Sequence, residues 1–294
     1  MPHAHHASVE FSWISAGLIL AALIYLRGLL RLRRLDLDGV QAWHTGGFIL
    51  GLFLIWLAIA SPLSALDHES LTAHMVQHLL LMTFAPPLIL LGASLKTLLY
   101  GLPRRLVLVM GRSFQSTGFH HVWSTLAHPA ICWLGAAITL VAWHIPAVFV
   151  LGLRSQMWHG IEQVSFLASG LLFWWPVVQP WRSASKWPES SLLVYLFLAT
   201  LPCDILSGFL VFCERVVYPV YFSSSQPFGL SALEDQQCAG ALMWTCVTVV
   251  YLIAGAIVTA RLLSSRGSQE YAIRQSETQA IAPPKSDAQT MEAL

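Results

Sequence analysis

A chain of 294 residues that is 56% hydrophobic and only 11% charged is not an ordinary soluble domain, where about a quarter of residues carry charge. Its mean hydropathy of +0.63 points to the bilayer. A net charge of +1 gives no electrostatic basis for a nucleic-acid partner. The five cysteines form no Cys-x-x-Cys pair, which argues against a zinc ribbon or a thioredoxin-like motif.

The first ten residues carry three histidines and a glutamate but no Lys or Arg, and no small-residue cleavage site follows the first apolar run, so no cleavable signal peptide is expected. Seven apolar segments then reach membrane-spanning length, at about 12–30, 43–61, 72–95, 129–151, 158–178, 191–213 and 237–261. Helices satisfy their backbone hydrogen bonds internally, and none of these segments shows the alternation of a barrel strand. The expected fold is all-α: a polytopic bundle of seven transmembrane helices within residues 1–263. Twelve Trp suit a protein with two membrane interfaces to line.

Basic residues set the expected orientation. Fourteen of the sixteen Lys and Arg follow the first, third, fifth and seventh segments; only Arg154 and Arg215 fall on the other side. That split predicts N-out and C-in. Residues 102–127, which mix Arg104, Arg105 and Arg112 with apolar side chains, read as an interfacial helix on the cytoplasmic side. The loop from about 214 to 236 faces outward. Residues 264–294, with Pro283, Pro284 and scattered charges, read as a disordered cytoplasmic tail.

This topology sorts the twelve histidines by depth. His44, His120, His121 and His128 fall at the cytoplasmic face, and His3, His5, His6 and His68 in outer extramembrane segments. Four remain at the outer ends of three spans: His74, His78, His144 and His159. His74 and His78, four residues apart, share one helix face. Imidazole binds copper, zinc, iron and nickel, and thioether sulfur favours Cu(I). Met75 and Met243 lie at the same level, and Glu162 sits one turn beyond His159 as a ligand, an orienting partner or a proton acceptor. Asp204, inside the sixth segment beside Cys203, is either a metal or proton group or a polar staple between helices. The candidate metal set is therefore His74, His78, His144, His159, Met75, Glu162, Asp204 and Met243. The competing reading for each residue alone is plainer: an interfacial histidine as an anchor, a methionine as apolar filler. Cys213 and Cys238 stand where a disulfide is permitted, Asp235 and Gln236 are candidate caps of the seventh helix, and Gly240 allows close helix approach.

Together these residues resemble the membrane-embedded CtaG family of cytochrome c oxidase assembly factors, the caa3 type. The resemblance runs through His-Met-x-Gln-His at 74–78 with Pro86, Pro87 and Gly92, Trp143-His144-x-Pro146, and His159-x-x-Glu162 followed by Trp174-Trp175-Pro176. It continues through Asp235-Gln236-Gln237-x-Ala239-Gly240-x-x-Met243-Trp244. It implies a non-enzymatic protein of the bacterial inner membrane that helps build a haem–copper oxidase. The cargo would be copper, as Cu(I), passed toward the oxidase catalytic subunit from periplasmic copper chaperones. The chain does not resemble the single-span copper chaperone that shares the CtaG name, since it has no soluble β-domain and no Cys-x-Cys motif. Three other readings stay open: a haem or metal redox protein, a copper transporter, and a metal-free structural partner. Transport would need ligands down to the cytoplasmic side, whereas the histidines cluster outward.

The orientation is testable directly. Reporter fusions after Arg274 should signal from the cytoplasm and fusions near Ser224 from outside; a cytoplasmic signal near Ser224 would overturn the topology and the sorting of histidines built on it.

Overall fold

The computed structural model describes residues 3–35, 41–93, 95–114, 116–178, 188, 190–223 and 227–281. Among these residues it is helical throughout, with no strands. Helix α1 (His3–Arg34) ends in Arg31, Arg33 and Arg34, cations that suit the negative end of the helix dipole. Helix α2 (Ala42–Ile59) follows, then a short 3-10 turn, Pro62–Ala65, whose entry is capped by Ser61. The third apolar segment divides into α3 (Leu71–Leu79), a π-turn (Leu80–Phe84) and α4 (Ala85–Gly92). Short α5 (Leu95–Gly101) packs on α1, and α6 (Arg104–Phe114) and α7 (Thr117–Leu126) lead to α8 (Pro129–His144) and α9 (Pro146–Arg154). Helices α10 (Gln156–Val178), α11 (Ser191–Phe212) and α12 (Ala232–Ile281) complete the bundle.

Six stretches are long and apolar enough to cross a membrane: Trp13–Arg34, Ala42–Ala65, Leu71–Gly92, Gln156–Val178, Ser191–Phe212 and Ala232–Ser264. A seventh exists only if α7 and α8, bent by 62°, count as one span. The protein is thus a multi-pass membrane protein by its apolar helices. Side chains such as Leu20 and Leu23 on α1, Phe197 and Ile205 on α11 and Leu252 on α12 are exposed, as lipid-facing residues are and as those of a water-soluble surface rarely are.

Several expectations change. The fourth segment, read as continuous over 129–151, breaks at Ile145, which is extended (φ −65°, ψ 124°). Pro146 disfavours the helical conformation of the residue before it and has no N–H to donate. Alone, α8 has 16 residues, about 24 Å of rise against a hydrocarbon core of about 30 Å. The third segment ends at Gly92 and is not a uniform α-helix. Pro86 and Pro87 cannot donate to the carbonyls of Met82 and Thr83, so the helix widens and Ala85 N–H reaches Leu80 O instead. The Trp174 indole on α10 donates to the freed Met82 carbonyl at 3.2 Å.

The stretch from 264, read as disordered, continues α12 as far as Ile281. No proline interrupts it before Pro283, and extending an existing helix is far easier than nucleating one. Residues 282–294 lie outside those described. Cys213 and Cys238 are both free thiols.

Asp235 and Gln236 do not cap α12. That role falls to Ser231 and Glu234, each accepting the other's backbone N–H (3.3 and 2.8 Å) in a capping box. Asp235 instead reaches across to α3, accepting from Ser70 Oγ (2.9 Å), Leu71 N–H (2.6 Å) and Thr72 N–H (3.2 Å). Gln236 ties down the loop between α11 and α12, accepting from Val217 N–H and donating to the carbonyls of Leu210 and Arg215. Gly240 does permit close approach: a Cβ there would lie 3.0 Å from Ser207 O on α11.

The Asp235 clamp gives a stability prediction. Hydrogen bonds to a charged group are worth about 1.5–3 kcal/mol each. Asp235→Ala should lower the unfolding free energy by about 2–4 kcal/mol in detergent denaturation. Asp235→Asn, which keeps an acceptor, should cost less.

Candidate metal centre

Helix periodicity places His74 and His78 one turn apart on the buried face of α3, with ring centroids 4.3 Å apart. Helix α10 presents His159 and Glu162 to the same space, three residues apart. Glu162 Oε1 lies 3.4 Å from His74 Nε2 and 3.2 Å from His78 Nε2, and Oε2 lies 3.5 Å from His159 Nδ1. Asp67, from the loop before α3, brings Oδ2 to 3.1 Å from His159 Nε2 and Oδ1 to 3.6 Å from His68 Nε2. Gln163 Nε2 is 2.7 Å from the same His159 nitrogen.

Around Glu162 these distances suit charge contact without making hydrogen bonds. Both ring nitrogens of His74 and of His78, and both carboxylate oxygens of Glu162, are buried without a hydrogen-bond partner. Each such group costs about 1–3 kcal/mol when left unsatisfied. Two donor sets converge, Asp67–His74–His159 and His74–His78–Glu162, with ligand atoms within 4.8 Å of one another and His74 common to both. The converging atoms, carboxylate oxygens and imidazole nitrogens, are of the kinds that can hold a metal ion.

Aromatic side chains wall the site. Phe166 stacks on His78 at 3.9 Å, and Phe149 of α9 meets His74 edge-on at 4.8 Å. Tyr218 donates to the His144 carbonyl and Tyr221 to the Asp67 carbonyl, each at 2.8 Å. Burial pushes both phenols up from their ordinary range, with nearby carboxylates adding to it, so both remain donors. Burial alone would raise the Asp67 carboxyl; the hydrogen bond from His159 and the charges of His68, His159 and His74 outweigh it and hold the group below its usual value, as a carboxylate. On one edge the cluster meets an open pocket of about 390 Å³, lined by Ser64, Asp67, His68, Gln156 and His159 among others.

His144, expected seven residues before the end of its span, is the last residue of α8. Its Nδ1 is 2.7 Å from Leu140 O and its Nε2 3.3 Å from Met75 Sδ. Met75, His78, His144, Cys203 and Met243 line one cavity of about 40 Å³ inward of the cluster. Asp204 is not brought to either donor set. It is half-buried on α11, with Oδ1 buried and unpartnered.

Asp67 escaped the sequence reading, as did the roles of His68, Gln163, Tyr218, Tyr221 and Gly152. Nothing in the spacing of a loop aspartate marks it as facing a helix ninety residues away. The buried phenols follow an outer loop whose folding over the site was not legible.

The family described as cytochrome c oxidase caa3 assembly factor (Caa3_CtaG) matches residues 23–265. The chain belongs to this family. Among curated proteins, an uncharacterized protein of Mycobacterium bovis is 25% identical over 263 residues, covering 84% of this chain and 38% of its own length. An uncharacterized protein of Mycobacterium leprae is 22% identical over 282 residues, covering 90% of this chain and 40% of its own. The chain thus spans about two fifths of the length of the curated relatives it matches. No solved structure matches. The matched region of this Caa3_CtaG member includes every residue of the histidine–carboxylate cluster.

Gly152 on α9 fixes where the Glu162 carboxylate sits, because a Cβ there would come to 2.8 Å from Oε2. Gly152→Ala should destabilise the protein by about 1 kcal/mol through this overlap. In a Glu162→Ala background the same change should cost nothing measurable. A double-mutant cycle by thermal unfolding checks this coupling.

Proposed function

We propose that this protein binds copper at the His74–His78–Glu162 cluster, with His159 and Asp67 on the entry side, and holds it for a haem–copper cytochrome c oxidase during assembly. The observation that carries the reading is the convergence of buried imidazole nitrogens and carboxylate oxygens that no hydrogen bond satisfies. The family description supplies the oxidase; the donor chemistry supports copper, for which imidazole is a good ligand. Neutral imidazoles around one carboxylate could also take zinc, so metal identity is part of the test.

The protein acts here as a binding and delivery component of the inner membrane, not as an enzyme. Copper arrives at the open pocket beside Asp67 and His159, from periplasmic chaperones in this reading, and leaves for the oxidase catalytic subunit. Membrane lipid surrounds the exposed apolar faces of α1, α11 and α12.

Purified wild-type protein should carry copper. A His74→Ala/His78→Ala double variant should weaken binding of the nitrogen- and oxygen-ligated copper equivalent at least tenfold, still insert in the membrane, and leave the oxidase short of copper. His121→Ala, an exposed residue on α7, is the control and should change nothing. Unchanged copper content and normal oxidase in the double variant would falsify the reading.

A further inference from the structure

Inward of Glu162 the donors change character from carboxylate and imidazole to imidazole and sulfur. We infer that the chain carries a second, soft metal position for Cu(I), built on His144 Nε2 and Met75 Sδ and completed by a sulfur facing the same cavity. The inference rests on the copper-binding reading above but concerns a separate set of atoms.

The argument begins with a proton. The Leu140 carbonyl can only accept, so the 2.7 Å contact requires that His144 Nδ1 carry the hydrogen. In the neutral ring that leaves a lone pair on Nε2, which points at Met75 Sδ 3.3 Å away. A thioether has no hydrogen to give. Two acceptors therefore face each other, on side chains 5% and 0% exposed, with no donor between them. A second proton would not mend this well: it would leave a buried imidazolium facing a weak acceptor.

A metal ion mends it. With bonds of ~2.0 Å to nitrogen and ~2.3 Å to sulfur, a 3.3 Å separation subtends about 100° at the ion. That angle is too small for a linear two-ligand ion and calls for a third donor. Met243 and Cys203 line the same cavity as Met75 and His144. Its volume of about 40 Å³ exceeds the ~10–15 Å³ that a single water requires. Thioether and thiol sulfur select Cu(I) among the common biological cations.

The two positions adjoin. The His78 and His144 rings are 6.0 Å apart, and His78 borders both the outer cluster and the inner cavity. The outer position, with two carboxylates, takes the ion from the aqueous pocket; the inner one, with sulfur and no carboxylate, retains it in the reduced form. The tight fit of Met75 in the apolar core offers a simpler account, in which the sulfur is filler. The experiment separates the two.

Protein prepared with selenomethionine and loaded anaerobically with up to two equivalents of Cu(I) would be measured by copper X-ray absorption, where selenium and sulfur neighbours are distinct. The expected result is a selenium neighbour in the unsubstituted sequence. Met75→Leu, which nearly conserves volume, should remove or halve that selenium signal and weaken one Cu(I) equivalent at least tenfold, leaving a nitrogen- and oxygen-bound equivalent in place. The His74→Ala/His78→Ala variant should keep the selenium neighbour. Copper bound with nitrogen and oxygen neighbours only would overturn this inference and leave the outer site standing, as would a selenium signal untouched by Met75→Leu. A chain that binds no copper at all overturns both.

Discussion

Glu162 is the constraint around which one half of the bundle is arranged. It is a carboxylate on a membrane-spanning helix with no solvent exposure. Removing such a group from water costs several kcal/mol, and in lipid no solvent can compensate. Its neighbours are three imidazoles from two helices, and each must stay in place for the carboxylate to be tolerated. The supporting contacts are correspondingly numerous. Asp235 holds the first turn of α3, and Trp143 Nε1 donates to Ser165 Oγ at 2.8 Å, tying α8 to α10 beside Glu162. Gly152 lets α9 close over the carboxylate without touching it too hard.

The loop between α11 and α12 is part of the same arrangement. Its phenols, Tyr218 and Tyr221, are buried and spend their hydroxyls on backbone carbonyls of the two residues that flank the cluster, His144 and Asp67. Phe149 packs between Tyr218 and His74. The loop therefore shuts water out of one side of the cluster, while the opposite side meets the open pocket at Asp67 and His159. The cluster thus lies between one open, polar edge and one enclosed cavity lined in part by sulfur.

Much of this was legible in the sequence. Apolar length marked most of the helices, and His74 could be paired with His78 and His159 with Glu162 because residues four or three apart on a helix share a face. Depth sorting brought His159 to the same level, and the structure does set it against Glu162. What could not be read depends on chain geometry between elements. Asp67 is a loop residue whose position is set by the 3-10 turn before it. Asp235 looked like a cap for its own helix because sequence rules describe local partners, and its real partner is 164 residues away. The break at Ile145 was marked by Pro146 and should temper any continuous span drawn across a proline. Asp204 shows the opposite limit: a charge inside an apolar segment is legible as unusual, but its half-buried place on α11, away from both donor sets, is not.

The π-turn at Leu80–Phe84 has a further consequence. One residue more than an α-helical turn advances the chain by about 100°. Above the turn, α3 packs on α12 and turns His74 and His78 toward Glu162; below it, α4 packs on α2 and α10, and Gly92 allows contact with His44 O and Phe48 of α2. The two halves of the span are thus set to different phases. Were the turn regular, docking α4 on α2 would rotate His74 and His78 away from Glu162 by that angle. The proline pair works as a phase shifter, letting one membrane helix answer to two sets of neighbours at once.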